Sequence, residues 1–132
     1  MNYLLDTHIW LWSLLEPDRL AKKVAAALTA EDARLWLSPL SVWEALLLIE
    51  RKRVLVDGPA ESWVRDALAR SPVEEAPITH EVAFASRALK TRHPDPADRF
   101  LAATAQVFEF TLVTADADLL RLKSVRTLSP RG

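Results

Sequence analysis

Apolar and polar positions along this chain follow two periods, and the period changes several times. Asn2–Leu5 is a short apolar run ending at Asp6, the pattern of a buried strand. Helical spacing follows from His8 to about Leu15, and Pro17 and Asp18 open a second helix with Leu20, Val24, Ala27 and Leu28 on one face. Residues 34–38 (RLWLS) predict a second strand. Pro39 then starts a helix to about Arg53, and Asp57-Gly58-Pro59 breaks the chain. A helix over Ala60–Arg70 precedes a brief strand at Ala76-Pro77-Ile78, and Thr79 caps a helix reaching Lys90. The segment HPDPAD is a loop that turns into a helix over Pro96–Phe108. Residues 110–114 (FTLVT) carry the clearest strand pattern, followed by a short helix over 117–122 and an edge strand over 124–128. Strands alternating with helices predict βαβ units, a parallel sheet and helices on both faces, so residues 1–132 form one α/β domain.

Composition narrows the chemistry more than the fold. The absence of cysteine removes disulfides, thiolate zinc sites and cysteine nucleophiles, and agrees with a reducing, cytoplasmic setting. With Gly58 and Gly132 as the only glycines, neither a Walker loop nor a dinucleotide fingerprint is present. A nucleophile elbow and an HExxH zinc pattern are also absent, and His8, His80 and His93 have no metal-ligand spacing. The apolar stretch after Asp6 is too short to span a bilayer, and no basic segment precedes it, so no membrane role is expected. A net charge of −1 lacks the basic footprint of most nucleic-acid binders.

Acidic residues carry the candidate chemistry. Asp6 directly follows the first strand and Asp116 lies two residues past FTLVT; right-handed crossovers bring both to the carboxyl edge of a parallel sheet. Glu44 sits among Leu40, Ser41, Leu47 and Leu48 at helical spacing, an apolar stripe in which a carboxylate is costly without a partner. Asp98 shares a helix face with Leu101 and Ala102. Two carboxylates about 4 Å apart repel by about 4 kcal/mol at an effective dielectric near 20, so a cluster of them must take up protons or a divalent cation. Oxygen ligands favour Mg²⁺ or Mn²⁺, ions that activate water and clamp a phosphodiester. Each acid except Glu44 also has a structural explanation. Asp6 and Asp116 stand at helix N-cap positions, while Asp98 falls at N3 behind Asp95 and Pro96, where an acid favours the helix dipole.

Four blocks, LLDTHIWLW, LSVWEALLL, HPDPADRFLAATA and LVTADADLL, occur in an order and at separations that resemble the PIN-domain ribonucleases, in particular the VapC-type toxins of bacterial toxin–antitoxin pairs. The resemblance covers essentially the whole chain. It implies a PIN-like three-layer α/β/α fold with a central parallel sheet of about four to five strands. It also carries the family's acidic positions onto Asp6, Glu44, Asp98 and Asp116, as catalytic residues and ligands of Mg²⁺ or Mn²⁺. Thr114 matches a supporting hydroxyl, and Thr7 and Ser41 stand beside the acids as further supports. Asp95 reads as a cap and Asp118 as an outer residue, while Ala45 and Trp43 depart from the family pattern around Glu44. The implied protein is a cytoplasmic endoribonuclease acting on an RNA substrate, a homodimer, and the partner of a cognate antitoxin that obstructs the acidic pocket.

Two rival readings remain. A metal-dependent phosphatase of the aspartyl type needs a second Asp two residues after the first, where this chain has His8. A non-catalytic binding module with the same fold has no need to keep all four acids. Of the five tryptophans, Trp10 and Trp12 lie about 200° apart on a helix, so at least one approaches the surface and a partner groove. Arg51, Lys52 and Arg53 suit a helix C-terminus, and Lys22, Lys23 and Arg99 read as solvated charge with phosphate contact as the alternative.

Overall fold

A computed structural model describes residues 1–90 and 95–132 of the chain. The apolar run at the N-terminus forms β1 (Asn2–Leu5), and the second run forms β2 (Arg34–Leu37) in parallel register, with Leu5 opposite Leu37. Between them lie α1 (Thr7–Leu15), a single tight turn at Pro17–Arg19, and α2 (Lys22–Leu28). The helix expected to open at Pro17 is therefore two pieces. The Leu20 N–H closes back on the Pro17 carbonyl, and the Ala21 N–H is drawn to Pro130 instead of continuing a helix.

After β2 come α3 (Pro39–Glu50) and α4 (Ala60–Arg70), then β3 (Val73–Glu75). The strand expected at Ala76-Pro77-Ile78 lies three residues earlier. Pro77 has no N–H to give a ladder, so pairing with β2 ends as the Ala76 N–H reaches the Leu37 carbonyl. The polar VEE segment carries no apolar signal because β3 is an edge strand, pinned by a forked contact from Arg34 to Glu74 at 2.9 and 2.7 Å. Helix α3 stops at Glu50, short of Arg53. Lys52 turns left-handed (φ 57°), and the N–H groups of Lys52 and Arg53 bond back to Ile49 and Leu48.

Thr79 caps α5 (His80–Ala88) as expected, and Asp95 caps α6 (Pro96–Phe108). Of the loop expected before Pro96, His93 and Pro94 lie outside the described residues. The chain closes with β4 (Thr111–Val113), α7 (Ala117–Leu120) and β5 (Thr127–Leu128).

All pairings are parallel, in the order β3-β2-β1-β4-β5. The chain leaves β1 toward one edge and later returns to its other side, so the winding reverses between β1 and β4. In open α/β sheets a crevice forms outside the carboxyl ends at such a reversal. Side chains alternate across the sheet. Tyr3, Leu5, Leu37 and Val113 pack against α1–α4 through Ile9, Trp10, Val24, Ile49 and Val64. Leu4 and Leu112 face α5–α7 through Val82, Leu101 and Leu119. This is the expected three-layer α/β/α arrangement around a five-stranded sheet. Of the two tryptophans on α1, Trp10 is buried, with its indole N–H 3.3 Å from the Ser71 hydroxyl, and Trp12 is half-buried.

Trp10→Ala is expected to cost about 3–5 kcal/mol in urea unfolding, through the cavity it leaves. Trp43, 58% exposed on α3, is expected to tolerate alanine within about 0.5 kcal/mol.

Candidate active site

Parallel pairing of β1 with β4 sets Leu5 beside Val113, so the next residue of each strand, Asp6 and Thr114, meets its neighbour at the carboxyl edge. The Asp6 N–H still reaches the Val113 carbonyl at 2.9 Å, holding the two chains in register one step past the ladder. The Asp6 carboxylate is held at both oxygens. Oδ1 accepts from the Thr7 N–H and Oδ2 from the Thr114 hydroxyl, each at 2.7 Å. The Thr114 hydroxyl oxygen in turn accepts from the Asp116 N–H at 3.1 Å. A relay therefore runs from the backbone of Asp116 through a fully buried hydroxyl to Asp6.

Glu44 arrives from the neighbouring strand. Ser38 ends β2 and caps α3 by accepting from the Leu40 N–H at 3.1 Å, with Pro39 in the first turn. This cap starts α3 at the end of β2, beside the end of β1, and Glu44, six residues on, comes near enough for its charge to act on Asp6. Burial raises the Asp6 pKa above its ordinary value. Hydrogen bonds from Thr114 and Thr7 pull it down, the Glu44 charge pushes it up, and the His8 charge lowers it. An ionised Asp6 is thus disfavoured where it stands unless a cation joins it.

Ser41 adds an independent sign. It is buried one turn before Glu44, and its hydroxyl has no hydrogen-bond partner among the described residues. A buried hydroxyl left unmade costs about 1–3 kcal/mol, so such a group points to a water or ligand in the space it faces.

Asp116 and Asp98 hold different positions. Asp116 Oδ1 caps α7 by accepting from the N–H groups of Asp118 and Leu119 at 2.9 and 3.0 Å, so its capping role is real and coexists with its link to Thr114. Asp98 is half-buried in the first turn of α6. Helix α6 runs about 20 Å and feeds directly into β4, so its N-terminus returns to the carboxyl edge where the other acids stand. Among the described residues, however, no group of three or more acidic or histidine side chains stands close enough to enclose a cation. The structure brings together Asp6, Thr7, Thr114 and the backbone of Asp116, with Glu44 near enough to repel Asp6. Asp98 shares their edge of the sheet.

The remaining sequence candidates divide clearly. Asp118 is exposed and pairs with Arg121 at 3.1 Å, away from the relay. Arg99 is half-buried, not solvated: it donates to the Ser86 carbonyl at 2.8 Å and ties α6 to the end of α5. Two contributors are absent from the sequence argument. Ser38 is visible as Ser-Pro ahead of a helix, and His8 as the residue one turn before Trp12 on α1, their rings 6.1 Å apart.

The side chains bonded to or repelling Asp6 offer oxygen donors, one carboxylate is recessed and repelled by a second, and a buried hydroxyl is orphaned among the described residues. That set fits a hard divalent cation that keeps part of its water. With chelator present, Asp6→Asn is expected to gain stability over the wild type as pH rises from about 4 to about 7. Because the folded state raises the Asp6 pKa, its contribution is fully present below the unfolded value near 3.9 and is lost as pH rises through the folded one. Urea unfolding at the two pH values measures the difference; a gap that fails to widen with pH contradicts the assignment of burial as the dominant cause.

Known proteins share this chain's sequence and fold. The chain is 35% identical to Ribonuclease VapC22 of Mycobacterium tuberculosis over 128 residues, 96% of this chain and 94% of that protein. Its fold matches VapBC2 from Rickettsia felis, solved with a promoter DNA fragment, at a TM-score of 0.73 and 18% identity over 98% of both chains. It also matches VapBC-1 from nontypeable Haemophilus influenzae at a TM-score of 0.71 and 17% identity over all of both chains. At those identities the two structures speak for the fold alone. The PIN domain family model matches residues 3–125, a span that contains Asp6, Glu44, Asp98, Thr114 and Asp116. This chain belongs to the PIN-domain family.

Proposed function

We propose that the protein is a divalent-metal-dependent endoribonuclease, the toxin of a toxin–antitoxin pair, acting on internal phosphodiester bonds of RNA. The observation that carries this reading is the Asp6 carboxylate, recessed at the β1–β4 reversal, fixed at both oxygens and repelled by Glu44. Asp6, Glu44, Asp98 and Asp116 are the residues assigned to hold Mg²⁺ or Mn²⁺. The bound ion supplies an activated water and charge neutralisation at the phosphate. Thr114 and the Thr7 N–H keep Asp6 in one orientation, and the Ser41 hydroxyl orders water beside Glu44. A VapC relative, and neighbours that are VapBC complexes, support a cognate antitoxin as partner. Exposed apolar side chains such as Phe84 on α5 support a homodimer. Among the described residues no helix is long and apolar enough to cross a membrane, and a cytoplasmic site of action is part of the reading proposed.

Cleavage of mixed RNA in Mg²⁺ or Mn²⁺ tests the reading. The wild type is expected to cut internally and to stop when chelator is added. Asp6→Asn is expected to lose more than the roughly 10–100-fold that removal of a supporting residue such as Thr114 (as Thr114→Val) costs. Mn²⁺ at about 100 times its dissociation constant is expected to stabilise the wild type by about 2.7 kcal/mol, and Asp6→Asn far less. Hydrolysis of a small phosphate ester with RNA left intact would move the assignment to a phosphatase.

A further inference from the structure

Beside the acids lies a groove that the proposed chemistry does not use. Two concavities of about 500 and about 400 Å³ meet at Trp12 and Arg19. The first is walled by His8, Leu48 and Arg53, the second by Ala115, Ala117 and Arg131. None of the four acids lines either lobe, but each lobe has wall residues that neighbour one of them. Leu48 stands one turn past Glu44 on α3, and His8 is near enough to Asp6 to act on its charge. Ala115 and Ala117 flank Asp116. A strand laid along the groove therefore borders the acids on the Glu44 side and again on the Asp116 side.

The walls are aromatic and cationic. Arg53 and Arg131 are exposed, and neither has an ion-pair partner among the described residues. The acid on the wall, Glu16, pairs with Arg19 at 3.5 Å, both side chains more than half exposed. The Arg19 guanidinium lies 4.8 Å from the centre of the Trp12 ring, in the place a stacked base would take. An exposed pair of this kind is a weak tether. Arg19 can therefore give up the ring and turn to a phosphate at little cost. A planar ring flanked by unpaired cations is the combination that binds single-stranded nucleic acid: bases stack on the ring, and the backbone follows the charges. A protein segment with acidic side chains would use the cations but not the stacking face.

We propose that this groove holds the single-stranded RNA on either side of the scissile bond, with a base on Trp12 and phosphates at Arg53 and Arg131. The inference rests on the ribonuclease reading above and names where its substrate lies. It also gives a chain whose net charge is −1 a local cationic wall, because Arg19, Arg53 and Arg131 all line this groove.

Anisotropy titration of a labelled single-stranded RNA of mixed sequence, with the full chain in chelator, tests the groove apart from the chemistry. Trp12→Ala is expected to weaken binding about tenfold, Trp12→Phe to restore most of it, and an abasic RNA to be insensitive to either change. Arg53→Ala and Arg131→Ala are each expected to lower the slope of log affinity against log salt by about 0.7. Both are exposed, so these two variants do not depend on repacking the core. Arg65→Ala, at an exposed arginine of α4 outside the groove, is the charge control and is expected to leave affinity and slope unchanged. RNA bound by the wild type with affinity and slope unmoved by the groove variants overturns the inference and leaves the groove to a protein segment. RNA neither bound nor cut by the wild type removes the ribonuclease reading itself.

Discussion

A carboxylate buried at the edge of a sheet must be oriented, compensated, or protonated, and the structure around Asp6 answers to that constraint. The 2.7 Å bond from Thr114 does the orienting. It joins the ends of β1 and β4, strands far apart in sequence but adjacent in the sheet, at the point where the winding reverses. Its hydroxyl also takes the Asp116 N–H, so the start of α7 is tied to the same carboxylate. What hydrogen bonds do not supply is charge compensation. Burial and the nearby Glu44 both work against ionisation, the bonds from Thr114 and Thr7 only partly offset them, and His8 is the one named neighbour whose charge helps. The proposed cation would relieve the rest.

Local stability and the site are built from the same residues. Asp6 and Asp116 both cap helices, as their spacing allows, and both belong to the relay. Capping is no argument against function here, because a cap position is where a side chain stands at the carboxyl edge of a strand with one face toward the crevice. Ser38 shows the same economy. It ends β2, caps α3 and thereby sets the height at which Glu44 passes Asp6. A carboxylate in an apolar helical stripe makes sense once its charge is found to act on a second acid, Asp6.

On the proposed reading, the charge distribution lets an acidic site and a polyanionic substrate share one surface. Asp6 and Asp116 stand just past strand ends, and Arg53 and Arg131, without ion-pair partners among the described residues, line the nearby groove. Net charge sums the whole chain, 17 basic against 18 acidic residues, to −1 and hides both regions. Arg53 reaches the groove because α3 ends in a left-handed turn at Lys52 and not because the helix continues to Arg53. A residue read as serving the helix terminus is thereby turned toward the site.

Periodicity alone determined most of the architecture. The strands at Asn2–Leu5 and Arg34–Leu37 and the helices at Ala60–Arg70 and Pro96–Phe108 lie where apolar spacing, proline and capping residues put them, since those signals are local. The edge strand at Val73–Glu75 escaped notice because an edge strand with solvent-facing side chains needs no apolar pattern, only a neighbour to pair with. The four acids stood out through their order and their setting, Glu44 above all. Which of them meet was decided by register. The step that places Asp6 beside Thr114 is a property of two strands paired across more than a hundred residues, and no local pattern records it. The orphaned Ser41 hydroxyl, the inward turn of Arg99 and the groove at Trp12 belong to the same class. Each is a relation between surfaces that comes into being only when the helices pack against the sheet.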